Sequence, residues 1–96
     1  MCMLDKVTAK RGSVYKLAAD NKIGKVFVFG SCARKEERDD SDIDFLIDPL
    51  PGSSLLNHVH LRDGLMSLFG RRVDVVSIRG LSPYLRNVII NEAVPI

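Results

Sequence analysis

The sequence predicts an α+β fold: a small mixed β-sheet with helices packed mainly on one face, within a single domain covering residues 1–96. Three observations support this fold class. The chain of 96 residues is long enough for only one small hydrophobic core. Segments with helical spacing of apolar residues alternate with short runs of β-branched and aromatic residues. The predicted strands are too few for a full doubly wound sheet.

Composition and charge exclude several classes of protein. Hydrophobic residues make up 46% and charged residues 27% of the chain, which is ordinary globular usage and argues against disorder. No apolar run approaches the roughly 20 residues that cross a bilayer, and the first residues lack the apolar stretch of a signal peptide. Two cysteines do not make a disulfide framework, so we expect free thiols and a cytoplasmic protein.

The first half of the chain predicts a helix, a strand, a short helix and a second strand. Apolar side chains recur at near-helical spacing over residues 8–21, whereas residues 25–29 form a short apolar run typical of a buried strand. A short helix is expected over residues 32–37, followed by a polar turn. Residues 42–48 are predicted as the second strand.

The second half predicts a helix, a third strand and a final helix. Ser53 or Ser54 can cap a helix that runs to about Phe69, with a buried stripe expected at Leu55, Val59, Met66 and Phe69. Residues 72–78 are predicted as the third strand. Ser82 followed by a proline is a good helix start, and Pro95 is expected to end that last helix.

Carboxylates are concentrated in the second predicted strand. Residues 39–48 hold five Asp and no basic residue, which an acidic, solvated loop would also explain. Side chains two apart in a strand share a face, so Asp42 and Asp44 project together with Cα atoms ~6.6 Å apart. Two carboxylates so close repel by ~2–3 kcal/mol at an effective dielectric of about 20. A divalent cation would offset this repulsion, and hard oxygen ligands suit Mg²⁺ or Mn²⁺.

A third carboxylate interrupts the third predicted strand. Asp74 lies between two valines, and if its strand lies beside the second strand it can join Asp42 and Asp44. Three carboxylates can hold two metal ions, which stabilise the entering and leaving oxygens of a phosphoryl displacement. The alternative is an aspartate at a strand edge that faces solvent.

A glycine and a serine follow the first predicted strand. Gly30 allows the backbone to approach a phosphate closely, and the amides of a following helical turn would point at that phosphate. Ser31 adds a hydroxyl donor, and Arg34 could pair with a phosphate oxygen. An ordinary strand-to-helix turn is the alternative interpretation.

The segment of residues 30–47, with its Gly-Ser pair and its later Asp-Ile-Asp, resembles the signature of the polymerase-β-type nucleotidyltransferases. The short chain is similar to the minimal nucleotidyltransferase (MNT) group, which consists of little beyond the catalytic palm. The resemblance extends to Arg-Val-Asp-Val-Val at residues 72–76, as the strand of the third aspartate. It also includes residues 80–85 and the ending Glu-Ala-Val-Pro-Ile at residues 92–96.

The resemblance implies roles for the matching positions. Asp42 and Asp44 would bind both Mg²⁺ ions, and Asp74 would bind the catalytic ion and help to deprotonate the acceptor hydroxyl. Gly30 and Ser31 would hold the nucleotide phosphates. Two other positions depart from the commonest family pattern, without removing a metal ligand: Cys32 and Lys35.

The same resemblance implies an Mg²⁺-dependent transfer of AMP from ATP to a hydroxyl. Many such proteins are similar to antitoxins that modify a tyrosine of a HEPN-domain RNase toxin, so the expected partners are that toxin, in a hetero-oligomer, and a nucleoside triphosphate. No membrane and no direct nucleic-acid contact is expected. Two alternatives stay open. One is an antitoxin that acts by binding alone, through the apolar residues 88–90. The other is the catalytic subunit of a small-molecule, aminoglycoside-type nucleotidyltransferase.

Overall fold

The computed structural model describes residues 3–30, 32–33 and 42–96. Within these ranges the α-helices are α1 (Met3–Ala9), α2 (Arg11–Asp20), α3 (Leu55–Phe69) and α4 (Pro83–Glu92). The strands are β1 (Ile23–Phe29), β2 (Ile43–Pro49), β3 (Val73–Ser77) and β4 (Val94–Pro95). A single 3₁₀ turn, Ile78–Gly80, follows β3.

The strands form one mixed sheet in the order β3-β2-β1-β4. β1 is antiparallel to β2 and to β4, whereas β2 and β3 are parallel. The parallel pair needs a crossover connection, and α3 provides it. Because of these directions, β1 ends where β2 and β3 begin; we call this the upper end of the sheet.

The main core lies between one face of the sheet and helices α1 to α3. β2 contributes Ile43, Phe45 and Ile47, all fully buried, and α3 contributes Leu61 and Leu65. Alternate residues of a strand point to opposite faces, which explains why these three β2 positions share the core. With the helices α1 to α3 on this side, the predicted α+β fold with helices mainly on one face is confirmed.

The opposite face of the sheet is covered in part by α4. A small apolar cavity of about 70 Å³ separates the helix from the strands, and it is lined by Phe27, Leu46, Ile78, Ile90 and Ala93. Leu46 is fully buried there. Within the described ranges, no helix is long and apolar enough to cross a membrane.

The predicted ends of α3 are confirmed. Ser54 is the N-cap: its side chain accepts a hydrogen bond from the Asn57 backbone, and the Asn57 side chain accepts one from the Ser54 backbone, which forms a capping box. Gly70 ends the helix in the left-handed conformation, with φ of 66°.

The predicted buried stripe of α3 is wrong in part. Leu55 is 78% exposed, whereas Leu61 and Leu65 are fully buried. The other members of the predicted stripe are half-buried: Val59, Met66 and Phe69. Apolar residues occur on several sides of this helix, so spacing alone does not select the side that meets the sheet.

Other differences concern the ends of elements. The helix predicted over residues 8–21 corresponds to α2, whereas α1 lies mostly before that range and was not predicted. The two helices are separated at Lys10, whose ψ of 18° leaves the helical region. The third strand stops at Ser77 rather than continuing to residue 78. The last helix ends before Val94, where the two-residue β4 begins. Most of the predicted short helix and polar turn lies outside the described residues, although Cys32 is described and buried.

Candidate active site

Two predicted carboxylates lie side by side at the upper end of the sheet. Asp44 of β2 and Asp74 of β3 are Cα partners in the parallel ladder, and neighbouring strands lie ~4.8 Å apart. Their neighbours in sequence, Ile43 and Val73, are buried in the main core. Asp44 and Asp74 therefore project to the opposite face of the sheet, Asp44 half-buried and Asp74 exposed.

Asp42 immediately precedes β2 and is engaged by an arginine. Its Oδ1 lies 3.1 Å from Nε of Arg72, and the two side chains are 44% and 77% exposed. The backbone supports the contact, because the N–H of Ile43 donates to the carbonyl of Arg72 at 3.0 Å. Exposed ion pairs of this kind are worth ~0–1 kcal/mol, so Asp42 can leave Arg72 and bind another cation at a small cost in free energy.

A metal site is implied by the resemblance, and the donor set can be compared with it. In residues 3–30, 32–33 and 42–96, no three His, Cys, Asp or Glu side chains lie close enough together to hold a metal ion. Asp44 and Asp74 nevertheless supply adjacent carboxylates, which are the ligands that Mg²⁺ prefers. Asp42 is turned toward Arg72, and rotation of these two exposed side chains is needed to complete a set of three. The three carboxylates suit Mg²⁺ as ligands once Asp42 leaves Arg72.

Gly30 packs directly against Asp44. Its φ is +73°, and a Cβ at this position would lie 2.5 Å from Oδ2 of Asp44. The backbone conformation therefore favours glycine, and a Cβ here would force the Asp44 carboxylate to move. A change at the end of β1 would consequently shift the carboxylate of Asp44.

The amide of Gly30 is occupied by a residue from the other end of the chain. Its N–H donates to Oε1 of Glu92 at 3.0 Å, across 62 positions of sequence. Sequence reasoning included Glu92 in the family-like ending but assigned it no role, because no local pattern indicates a contact over such a separation. Two predicted phosphate-binding residues, Ser31 and Arg34, lie outside the described residues, as does Lys35.

A groove between α3 and β3 opens beside Asp74. It has a volume of about 160 Å³ and is lined by Leu55, His58, Val59, Arg62, Asp74 and Val75. The lining combines apolar side chains with a guanidinium, an imidazole and the carboxylate. The groove gives a second molecule access to Asp74.

Comparison with known proteins assigns the family. The family model described as polymerase beta nucleotidyltransferase matches residues 13–96. The chain belongs to this nucleotidyltransferase family. The resemblance inferred from residues 30–47 is confirmed, and the chain is an enzyme of the nucleotidyltransferase class.

This nucleotidyltransferase has similar relatives in archaea. It is 39% identical over 74 residues to a provisionally named protein adenylyltransferase of Methanocaldococcus jannaschii, covering 77% of this chain and 80% of the relative. It is 36% identical over 72 residues to the protein adenylyltransferase MntA of Thermococcus cleftensis, covering 75% and 73%.

Solved structures share its fold. One that is provisionally described as a minimal nucleotidyltransferase superposes with a TM-score of 0.89 at 45% identity, over 100% of this chain and 97% of the other. A second contains a tri-AMPylated HEPN toxin of Shewanella oneidensis in complex with an MNT antitoxin. It matches with a TM-score of 0.67 at 22% identity, over 92% of this chain and 69% of the other, and at that identity it shows the fold alone.

Proposed function

We propose that this nucleotidyltransferase is an antitoxin that transfers AMP from ATP to a tyrosine hydroxyl of a HEPN-domain RNase toxin. The observation that carries the proposal is the pairing of Asp44 with Asp74 beside Gly30. The protein adenylyltransferase names of the relatives support AMP as the transferred group. The complex of an AMPylated HEPN toxin with an MNT antitoxin supports the partner.

The carboxylates at the upper end of the sheet would hold Mg²⁺, with Mn²⁺ as a possible substitute. Asp42, Asp44 and Asp74 would supply the ligands for two ions. When bound, such ions would supply positive charge to the triphosphate and to the oxygens that enter and leave the phosphorus. The turn at Gly30 would receive the phosphates, together with Ser31 and Arg34.

In the proposed transfer, Asp74 accepts the proton of the acceptor hydroxyl. It is exposed and lines the groove between α3 and β3, where a tyrosine of a partner would approach. In the transfer, a bond forms between the tyrosine oxygen and the α-phosphorus. The bond from the α-phosphorus to the oxygen bridging to the β-phosphate breaks. The hydroxyl proton passes to Asp74, and pyrophosphate leaves. Positioning and electrostatics carry such a step.

Replacing Asp44 tests the proposal. Asp44→Asn removes a charged ligand with little change in shape, so we expect AMP transfer to fall roughly 100-fold or more. The matched control is Asp48→Asn: this residue is also in β2, on the same face and half-buried, but it pairs with Arg79 at 4.0 Å. It should retain transfer.

The measurement is the intact mass of the purified toxin after incubation with ATP and Mg²⁺. A mass increase of one or more AMP units with the wild type and with Asp48→Asn, but not with Asp44→Asn, supports the proposal. Equal modification by Asp44→Asn and the wild type contradicts it, as does the absence of any mass increase with the wild type.

A second candidate function, neutralisation by binding alone, is favoured by α4. This helix contains no buried residue and exposes four large apolar side chains: Tyr84, Leu85, Val88 and Ile90. A surface of this kind is typical of a protein interface. If the double variant Asp42→Asn/Asp44→Asn protects cells from the toxin as well as the wild type does, binding alone is sufficient and transfer is not needed.

A further inference from the structure

One carboxylate near the candidate site has no assigned role. Oε1 of Glu92 accepts the Gly30 amide hydrogen at 3.0 Å, in a partly buried position. The contact therefore holds Gly30 at the end of β1.

Glu92 is itself held firmly by its surroundings. It is the last residue of α4, and the next residue, Ala93, donates its N–H to the carbonyl of Ile89 at 2.8 Å. The chain then pairs with β1, Val94 with Val28 and Pro95 with Phe27. The following Ile96 carbonyl accepts the hydroxyl of Tyr15 at 2.8 Å. These contacts hold the Glu92 carboxylate at the end of β1.

Gly30 is consequently fixed from two sides. The carboxylate of Asp44 lies against its Cα, where a Cβ would collide with it, and Glu92 takes its N–H. Since that N–H is used within the protein, it is not a donor to phosphate in this arrangement. The contribution of Gly30 to a phosphate site is then its fixed position at the end of β1, beside the carboxylate of Asp44.

We infer that Glu92 is a positioning residue: by accepting the Gly30 N–H, it fixes the end of β1 beside Asp44, where the nucleotide phosphates would bind. The inference rests on the proposed function, because it assumes that a nucleoside triphosphate binds beside Gly30. Glu92 acts through Gly30 rather than as a phosphate ligand, since two anions repel each other.

The role requires an acceptor oxygen and not a negative charge. Glu92→Gln keeps a carbonyl oxygen that can accept from Gly30, and it removes a charge that repels the triphosphate. Glu92→Ala removes the acceptor and leaves a partly buried N–H without it. The two variants therefore separate positioning from charge.

The experiment measures two quantities in the wild type, Glu92→Ala and Glu92→Gln. One is the dissociation constant of a non-hydrolysable ATP analogue with Mg²⁺, and the other is the hydrogen-exchange rate of the Gly30 amide by NMR. For Glu92→Ala we expect roughly tenfold weaker binding and at least roughly tenfold faster exchange. Glu92→Gln should bind the analogue as tightly as the wild type, or more tightly. Asp20→Ala, an exposed carboxylate at the end of α2, is the control and should change neither quantity.

Two outcomes would overturn the inference. One is wild-type affinity in Glu92→Ala, and the other is equal loss of affinity in Glu92→Gln and Glu92→Ala. Failure of the proposed function is seen separately, as a wild-type chain that does not bind the analogue. In that case the hydrogen-exchange rate of the Gly30 amide tests the contact with Glu92. Faster exchange in Glu92→Ala supports the contact, and unchanged exchange refutes it.

Discussion

At the scale of single residues, Gly30 carries the strictest constraint in the described chain around the candidate site. It combines a φ of +73° with a Cβ position that lies 2.5 Å from Oδ2 of Asp44. A local Gly-Ser pair was enough to single it out from the sequence. The partner of its amide, Glu92, could not be found in the same way, because it lies 62 positions away and only the pairing of β4 with β1 brings it there.

Gly30→Ala should therefore be more harmful than an alanine at another left-handed glycine. We expect a loss of about 2 kcal/mol or more in the free energy of unfolding, together with loss of AMP transfer, because the new Cβ displaces Asp44. Gly70→Ala is the matched control: its φ is +66°, but nothing lies within 4 Å of its Cβ position. Gly70→Ala should lower the free energy of unfolding by only about 1 kcal/mol and should retain AMP transfer. Urea unfolding and the toxin mass assay measure the two effects, and equal behaviour of the two variants would contradict the assignment.

Arg72 is predicted to compete with the metal for Asp42. Its Nε lies 3.1 Å from Oδ1 of Asp42, and its side chain is 77% exposed, so removing it frees the carboxylate at a stability cost below about 1 kcal/mol. Arg72→Ala should lower the Mg²⁺ concentration that gives half-maximal AMP transfer. Arg79→Ala, which opens the pair with Asp48 instead, should not. An unchanged or raised Mg²⁺ requirement in Arg72→Ala would show that the pair does not oppose metal binding.

At the scale of elements, the helix ends that are set by neighbouring residues agreed well with the sequence prediction. The Ser54 cap of α3 and the end of that helix at Phe69 both depend on backbone and side-chain groups within one turn, so they could be predicted. β4 could not, since its Val94–Pro95 residues become a strand only by pairing with β1. The side of α3 that is buried also depends on where the sheet lies, and for that reason the expectation for Leu55 was wrong.

The capping box of α3 should make a measurable contribution to stability. Ser54→Ala removes the acceptor for the Asn57 N–H and should lower the free energy of unfolding by about 0.5–2 kcal/mol. Ser67→Ala, an exposed position inside the same helix, should be neutral or slightly stabilising, because alanine has the higher helix propensity. Chemical denaturation compares the two, and a Ser54→Ala variant as stable as Ser67→Ala would argue against the cap.

At the scale of the whole molecule, stability depends on the core between the sheet and helices α1 to α3. Leu65 is fully buried there, whereas Leu56 of the same helix is exposed. Leu65→Ala should lower the free energy of unfolding by about 2–5 kcal/mol, a large part of the total stability of so small a chain. Leu56→Ala should change it by less than about 0.5 kcal/mol. Similar losses in the two variants, measured by thermal or urea unfolding, would place the core elsewhere.

Local interactions were sufficient to specify the strands that carry Asp44 and Asp74 and the Ser54 cap of α3, because each depends on residues a few positions apart. The order β3-β2-β1-β4, the register that sets Asp44 beside Asp74 and the reach of Glu92 to Gly30 needed the folded chain. They join residues far apart in sequence, and such contacts form only when burial of the common core brings the strands together.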